Sequence, residues 1–303
     1  MLYFEFNLRL FLRLIFISTD CFCAIDLDTI LPNFLASLIR QKIRVYDAHE
    51  LFTELKEIVT RPAIHKLWST VERLAVPQFR AGYTVNSYIS DYFREKYQVS
   101  YAVVRNLPDF SPILHSSTNT NPFIIYQGAV NEGRCFETLI PAMKYINASL
   151  MVCGTGNYME KLTKLIEIEA LGQKIVLLGM ITPEELKKIT PTARVAVMLF
   201  EETGLNQYQS LANRFFDYIM AGVPQVCVDF PQYKKINDQY EVASLIIDTR
   251  SETIAAAINN LLDNDVYYNL LKENCLKARQ ALNWQNEEKV LLDFYEALFE
   301  NKK

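Results

Sequence analysis

Short apolar runs alternate, along nearly the whole chain, with segments in which apolar residues recur every three or four positions. That alternation predicts a parallel sheet covered by helices. The runs at 20–25, 43–46, 83–85 and 101–104 read as strands. Helices are predicted over 27–41, after Pro62 with Leu67, Val71 and Leu74 on one face, and over 87–97. From 109 to 122 the pattern stops and Ser, Thr, Asn and Pro dominate without a period, as in a linker. A second series follows, with strands predicted at 123–126, 150–152, 175–178, 195–199, 225–228 and 245–247. Three helices close the chain, at about 252–262, 265–282 and 286–300. The expected fold is α/β, with two Rossmann-like domains joined by one linker: 1–108, the linker 109–122, and a second domain from 123 to 285.

Half of the 303 residues are apolar, so a substantial core is available. With 31 basic against 35 acidic residues the net charge is −4, and no Lys/Arg-rich block occurs. This argues against nucleic acid as a partner. Six cysteines are scattered in mostly apolar contexts, and Cys21 and Cys23 have the wrong spacing for a zinc knuckle. The expected compartment is reducing and cytoplasmic. Residues 1–18 are rich in aromatic and aliphatic side chains, but Glu5, Asn7, Arg9 and Arg13 interrupt them. The run stops short of the roughly 20 residues that a membrane span needs. A buried helix is the plainer reading, and a helix lying on the inner surface of a membrane is the sharper one.

The stretch 200–228, FEETGLNQYQSLANRFFDYIMAGVPQVCV, organises the second half. It leaves a predicted strand, crosses a polar loop, forms a short helix, and re-enters the sheet through Ala-Gly-Val-Pro. The loop then lies at the carboxyl end of its strand, where open α/β sheets bind ligands. Asp217 on the short helix can aim a carboxylate at what the loop holds, and a ribose offers it two hydroxyl donors. Here SLANRFFDYIMAGVPQV resembles the Ser-Leu-Pro-Asn-Lys-Phe-Phe-Glu-Tyr-x-x-Ala-Gly-x-Pro-Val segment of bacterial retaining glycosyltransferases of the GT-B fold, family four. VYDAHELFTE, VVRNLP and YQGAVNEGR are similar to stretches of the same family, in the same order.

The resemblance implies that the second domain binds a nucleoside diphosphate sugar and the first an acceptor, a glycan or lipid-linked one. No separate cofactor and no metal are implied. The helix at 286–303 would cross back to the first domain. The first domain is shorter than the family's, since the usual opening strand, glycine-rich loop and further units are not found before residue 20. A fragment, a start placed too late, or a reduced and inactive relative would each account for that.

Site residues follow from the chain and from the resemblance together. Gly128 and Ala129 end the first strand of the second domain, and Arg134 stands at the start of the next helix, where a pyrophosphate would meet N–H groups and a guanidinium. By resemblance Arg134 takes the place of a phosphate-binding lysine. The family has a second arginine where this chain has Ala129, and glycine where it has Cys135. Gly154 and Gly156 form a tight turn beside the nucleotide rather than a dinucleotide fingerprint, since Glu160 stands where a third glycine belongs. Leu178, Gly179 and Met180 resemble the loop that holds the base edge through backbone groups.

The family's loop and helix carry two acids, with seven residues between them. Asp217 matches the second, but the first falls on Gln209, and Glu201 or Glu202 would have to substitute. Asn213, Ser210 and Leu211 complete the donor side. In the first domain His49 follows a strand end between Asp47 and Glu50, and in the family a histidine there hydrogen-bonds the transferred sugar. His65 and His115 have no supporting pattern. Asp26-Leu27-Asp28 mimics the metal motif of a different glycosyltransferase fold, but Asp28 reads as a helix N-cap. Transfer of a sugar with retention is the leading reading. A nucleotide-sugar epimerase of the same fold and a non-catalytic nucleotide-binding or assembly protein are the alternatives.

Overall fold

A computed structural model describes residues 2–113 and 122–300. The chain is α/β and divides into two compact units. The first comprises Met1–Asn106, Thr203–Ser210 and Glu287–Lys303, and the second Leu107–Glu202 and Leu211–Asn286. Residues 107–113 therefore group with the second unit, while His115 and the rest of the segment 114–121 lie outside the described residues.

The first unit holds a four-stranded parallel sheet in sequential order: β1 (Cys21–Ile25), β2 (Ile43–Ala48), β3 (Ala81–Thr84) and β4 (Ala102–Val103). Tyr46, Phe79, Phe93 and Tyr101 form its aromatic centre, with ring centroids 5.6 to 6.1 Å apart. Helix Ser87–Tyr97 spans the predicted residues, and its start is fixed by the Asn86 side chain, which accepts the Ile89 N–H. Helix Trp284–Glu300 contributes Glu287, whose buried carboxylate takes the Arg105 backbone N–H and guanidinium.

Two local readings change here. The helix predicted over 27–41 is a 3-10 turn, Leu27–Thr29, followed by helix Ile30–Arg40. Asp28 sits inside that turn, not at a cap, and accepts its own and the Thr29 N–H. Helix Leu2–Phe16 forms, yet it is not buried: one side packs on helix Ile30–Arg40, while Phe4 and Phe16 are 75% and 84% exposed. Tyr3 also meets Trp68 edge-on, with ring centroids 5.7 Å apart. The helix's apolar residues surround its axis, so contacts on one side leave part of them in solvent. Among the described residues no helix is long and apolar enough to cross a membrane.

The second unit holds a six-stranded parallel sheet: β5 (Phe123–Gln127), β6 (Ser149–Cys153), β7 (Ile175–Gly179), β8 (Val195–Met198), β9 (Gln225–Val228) and β10 (Ala243–Ile246). Their order is β10-β9-β8-β5-β6-β7. Strands β5, β8 and β9 are buried at every residue, which is why they read as nearly continuous apolar runs, broken only by Gln127 and Gln225 at strand ends. The first strand of the unit lies in the middle, and the winding reverses between β5 and β8. Loops leaving the carboxyl ends of those two strands face the switch point.

Candidate functional site

Three loops stack at the carboxyl ends of β5, β6 and β7. The Gly128 N–H donates to the Cys153 carbonyl at 2.9 Å, and the Gly154 N–H to the Gly179 carbonyl at 2.7 Å. A Cβ on Gly154 would overlap the Gly128 carbonyl oxygen, and one on Gly156 would overlap the Val130 carbonyl. These glycines serve the close approach of loop to loop. Leu178 is 40% and Met180 82% exposed, on either side of Gly179 with its left-handed φ of 69°.

Arg134 does not open the helix as the sequence led us to expect. Helix Phe136–Ala142 begins two residues later, after a turn in which Gly133 and Cys135 both take left-handed backbones, with φ 79° and 58°. The Glu201 N–H closes the turn on the Gly133 carbonyl at 3.1 Å. Within it Arg134 lays its guanidinium 4.2 Å from the centroid of Phe200. Its Nε is buried, with no hydrogen-bond partner among the described residues. Arg214, from helix Asn213–Ala221, stands 4.6 Å from the same centroid and is 8% exposed. Its Nη1 donates to the Tyr126 hydroxyl at 2.8 Å, and Gly128 leaves room beside it.

Among the described residues no carboxylate lies within 4.0 Å of either guanidinium. Burial, then the charge of Arg214, lowers the Arg134 pKa to about 10. Two cations are thus held together in a half-dry place without an anion. Such an arrangement is costly as it stands and complementary to a polyanion.

Asp217 lies one turn further along the helix that carries Arg214. Burial raises its pKa to about 6, against the lowering effects of Gln127 and Lys187. Gln127 Nε2 donates to Asp217 Oδ2 at 3.1 Å, and Gln127 Oε1 accepts the Thr190 hydroxyl at 2.7 Å. The carboxylate lines a pocket of about 130 Å³ with Gln127, Thr190, Pro183, Lys187 and Pro108. Among the described residues the side-chain hydrogen bond to Asp217 goes to Oδ2, which leaves Oδ1 to accept from a ligand hydroxyl.

The description of glycosyl transferases group 1 matches residues 114–278, more than half of the chain. The chain belongs to that family. No curated protein matches it by sequence. Its fold is similar to that of Anabaena HepE solved with UDP, at TM-score 0.76 and 12% identity, covering 97% of this chain and 82% of that one. Sucrose-phosphate synthase from Thermosynechococcus elongatus is similar at TM-score 0.75 and 17% identity, covering 93% and 74%. S. aureus TarM is similar at TM-score 0.69 and 16% identity, covering 94% and 58%. These likenesses identify the fold as GT-B.

In the first unit of this group 1 glycosyltransferase, His49 and Glu50 follow β2. The His49 ring places Nε2 3.0 Å from Asp47 Oδ1, and that hydrogen bond raises its pKa. Burial raises the Glu50 pKa to about 7, helped by the charges of Asp26 and Glu57. Asn206, from segment Thr203–Ser210, hydrogen-bonds Glu50 and accepts the Leu51 N–H at 2.9 Å. Gln209 is buried there, its carbonyl accepting from Asn86 Nδ2. Ser210 turns its hydroxyl onto the Gln207 carbonyl. Ala129 accepts the Tyr126 hydroxyl through its carbonyl. Glu202 and Asn213 are exposed, and Leu211 is half-buried. Sequence reading missed Arg214, Gln127 and Thr190. The one signal for Arg214 was a cation beside two phenylalanines, in a helix whose other charged residue is Asp217.

Proposed function

We propose that this group 1 glycosyltransferase takes a nucleoside diphosphate sugar as donor and passes the glycosyl unit to a glycan or lipid-linked acceptor with retention at the anomeric carbon. The observation that carries the reading is the pair Arg134 and Arg214 on Phe200, one half-buried and one buried, with no carboxylate within 4.0 Å of either among the described residues. HepE, similar in fold, was solved with UDP, with UDP and glucose, and with UDP-glucose. The diphosphate sits against Gly128, Ala129 and the two guanidiniums, and the ribose hydroxyls donate to Asp217. The backbone at Leu178–Met180 takes the base edge, Gly154 and Gly156 border the nucleotide, and Ser210, Leu211, Asn213 and Glu202 complete the donor side. His49 hydrogen-bonds the transferred sugar, with Glu50 beside it. As the sugar departs, charge builds on the β-phosphate, and Arg134 stabilises it there. No protein nucleophile enters the reading; the departing diphosphate serves as base for attack on the same face.

A mass-spectrometric screen of uridine and guanosine diphosphate sugars, with and without candidate acceptors, tests this. Nucleotide binding with neither hydrolysis nor transfer of any donor would replace the transferase by a nucleotide-binding protein. Loss of transfer with a chelator, restored by manganese, would return Asp26 and Asp28 to a metal role.

We also propose a cytoplasmic protein that touches the membrane surface through helix Leu2–Phe16, because its exposed apolar residues sit beside Arg9 and Arg13. Flotation with vesicles containing anionic lipid should recover the protein, and Phe4→Asp with Leu12→Asp should abolish that; flotation unchanged by both removes the helix from the contact.

A further inference from the structure

Asp26 follows β1 at φ 53°, a left-handed backbone that a residue with a side chain adopts at a cost. Two hydrogen bonds hold it there. Its N–H donates to the Asp47 carbonyl at 2.9 Å, and its Oδ1 accepts the His49 N–H at 2.8 Å. The imidazole of His49 is held in turn by Asp47, 3.0 Å from Nε2. One carboxylate therefore fixes the backbone of His49 and another fixes its ring. The Asp26 side chain makes no bond to the helix start that follows it. Among the described residues no group of three or more His, Cys, Asp or Glu is arranged to hold a metal ion. Burial also raises the Asp26 pKa to about 6, so keeping an ionised carboxylate there has a cost. Left-handed backbone and a partly buried carboxylate coincide where a ring must keep one orientation.

We propose that Asp26 is a positioning residue for His49, its side chain and left-handed backbone clamping residues 47–49 at the end of β2. A carboxylate serving only the local turn would have no reason to reach across to the neighbouring strand's loop. The activity part of the test rests on the reading of His49 as sugar-facing; the geometry does not.

Two variants separate a clamp from simple backbone strain. Asp26→Asn keeps a side-chain oxygen for the His49 N–H and leaves the backbone strain as it is, whereas Asp26→Gly relieves the backbone and removes the acceptor. If strain alone mattered, glycine would serve at least as well as aspartate. With a clamp, asparagine substitutes and glycine does not. Titration of the His49 imidazole by NMR in the full chain reads this without any activity. The charged groups facing the ring are Asp47, Asp26 and Glu50.

In Asp26→Gly the His49 midpoint should fall by at least about 0.5 pH, with a smaller fall in Asp26→Asn from loss of the charge. Sugar transfer should drop about tenfold in Asp26→Gly and stay within about threefold in Asp26→Asn, with no further loss from Asp26→Gly when His49 is already alanine. A His49 titration unchanged in Asp26→Gly overturns the clamp, as does equal loss of transfer in both variants. If no variant, wild type included, transfers sugar, the titration alone decides, so failure of the functional reading is told apart from failure of the clamp. Should Asp26→Gly not fold, Asp26→Ser takes its place, since its hydroxyl falls short of the His49 N–H.

Discussion

Arg134 and Arg214 rest against one ring, their guanidinium carbons 4.2 and 4.6 Å from the centroid of Phe200. They reach it from a turn after β5 and from the helix after β8, the two strands at which the winding reverses. Like charges so placed are partly desolvated, and among the described residues no carboxylate balances them. Filling that site with an anion should therefore change stability as well as occupancy.

In the absence of nucleotide, Arg134→Met should raise the stability of the protein by about 1 kcal/mol, because a desolvated, repelled cation is replaced by an apolar chain. The same variant should lose about 1.5–3 kcal/mol of affinity for uridine or guanosine diphosphate, as expected for loss of a bond to a charged group. Arg214→Met should lose affinity too, yet should destabilise, since its hydrogen bonds to Tyr126 and Leu199 go with it. Calorimetric titration with both nucleotides and thermal melts check the pair of variants; equal affinity in Arg134→Met and wild type removes Arg134 from the site.

Burial pushes the pKa of Asp217 and of Asp26 up to about 6 and that of Glu50 up to about 7. For each, the folded state binds the proton more tightly than the unfolded chain. The stability that protonation confers is present below about pH 4 and is lost as pH rises to between 6 and 7. For Asp217 the loss is at most about 2–3 kcal/mol. Asp217→Asn should therefore stabilise the unliganded protein more at pH 7.5 than at pH 5, while weakening nucleotide binding. Urea unfolding at both pH values checks it, and a gap between variant and wild type that does not widen with pH contradicts the assignment.

Cys135 keeps a left-handed backbone although it is not glycine, and its thiol is buried at 2% exposure. Cys135→Gly should be nearly neutral, since relief of about 1 kcal/mol of strain is offset by a similar loss of buried surface. Cys135→Val should cost about 2 kcal/mol or more, because a β-branched residue resists that conformation. Denaturant midpoints decide; a valine tolerated without loss would mean the turn is built otherwise.

Gly154→Ala should cost about 3 kcal/mol or more, because its Cβ would displace the Gly128 loop. Gly172→Ala is the matched control: nothing lies within 4 Å of its Cβ, and it should be neutral or slightly stabilising. Equal melting temperatures for the two variants would contradict the loop packing.

Much of the architecture was legible in the chain. Strands β5, β8 and β9 are buried on both faces, so their apolar runs announce them without ambiguity. Helix Ser87–Tyr97 was readable to the residue, and Asn86 stops it from beginning elsewhere. Asp217 was accessible because a strand, loop and short helix place a carboxylate in a known relation to the sheet. Helix Leu2–Phe16 was misjudged as buried because apolar content measures what could be covered, not what covers it.

What the sequence by itself determined is the kind and order of the elements, since the repeat of apolar positions follows from the backbone repeat of helix or strand. It also determined the family, through short motifs that stand in order along the chain. Only the tertiary structure decided who meets whom. Gln127 reaches Asp217 across 90 positions, and Arg214 reaches Tyr126 across 88, because β8 lies beside β5 and not beside β7. Strand order of that kind is a property of how loops close over the sheet. No local pattern encodes it, so a buried arginine and a surface one look alike until the sheet is assembled.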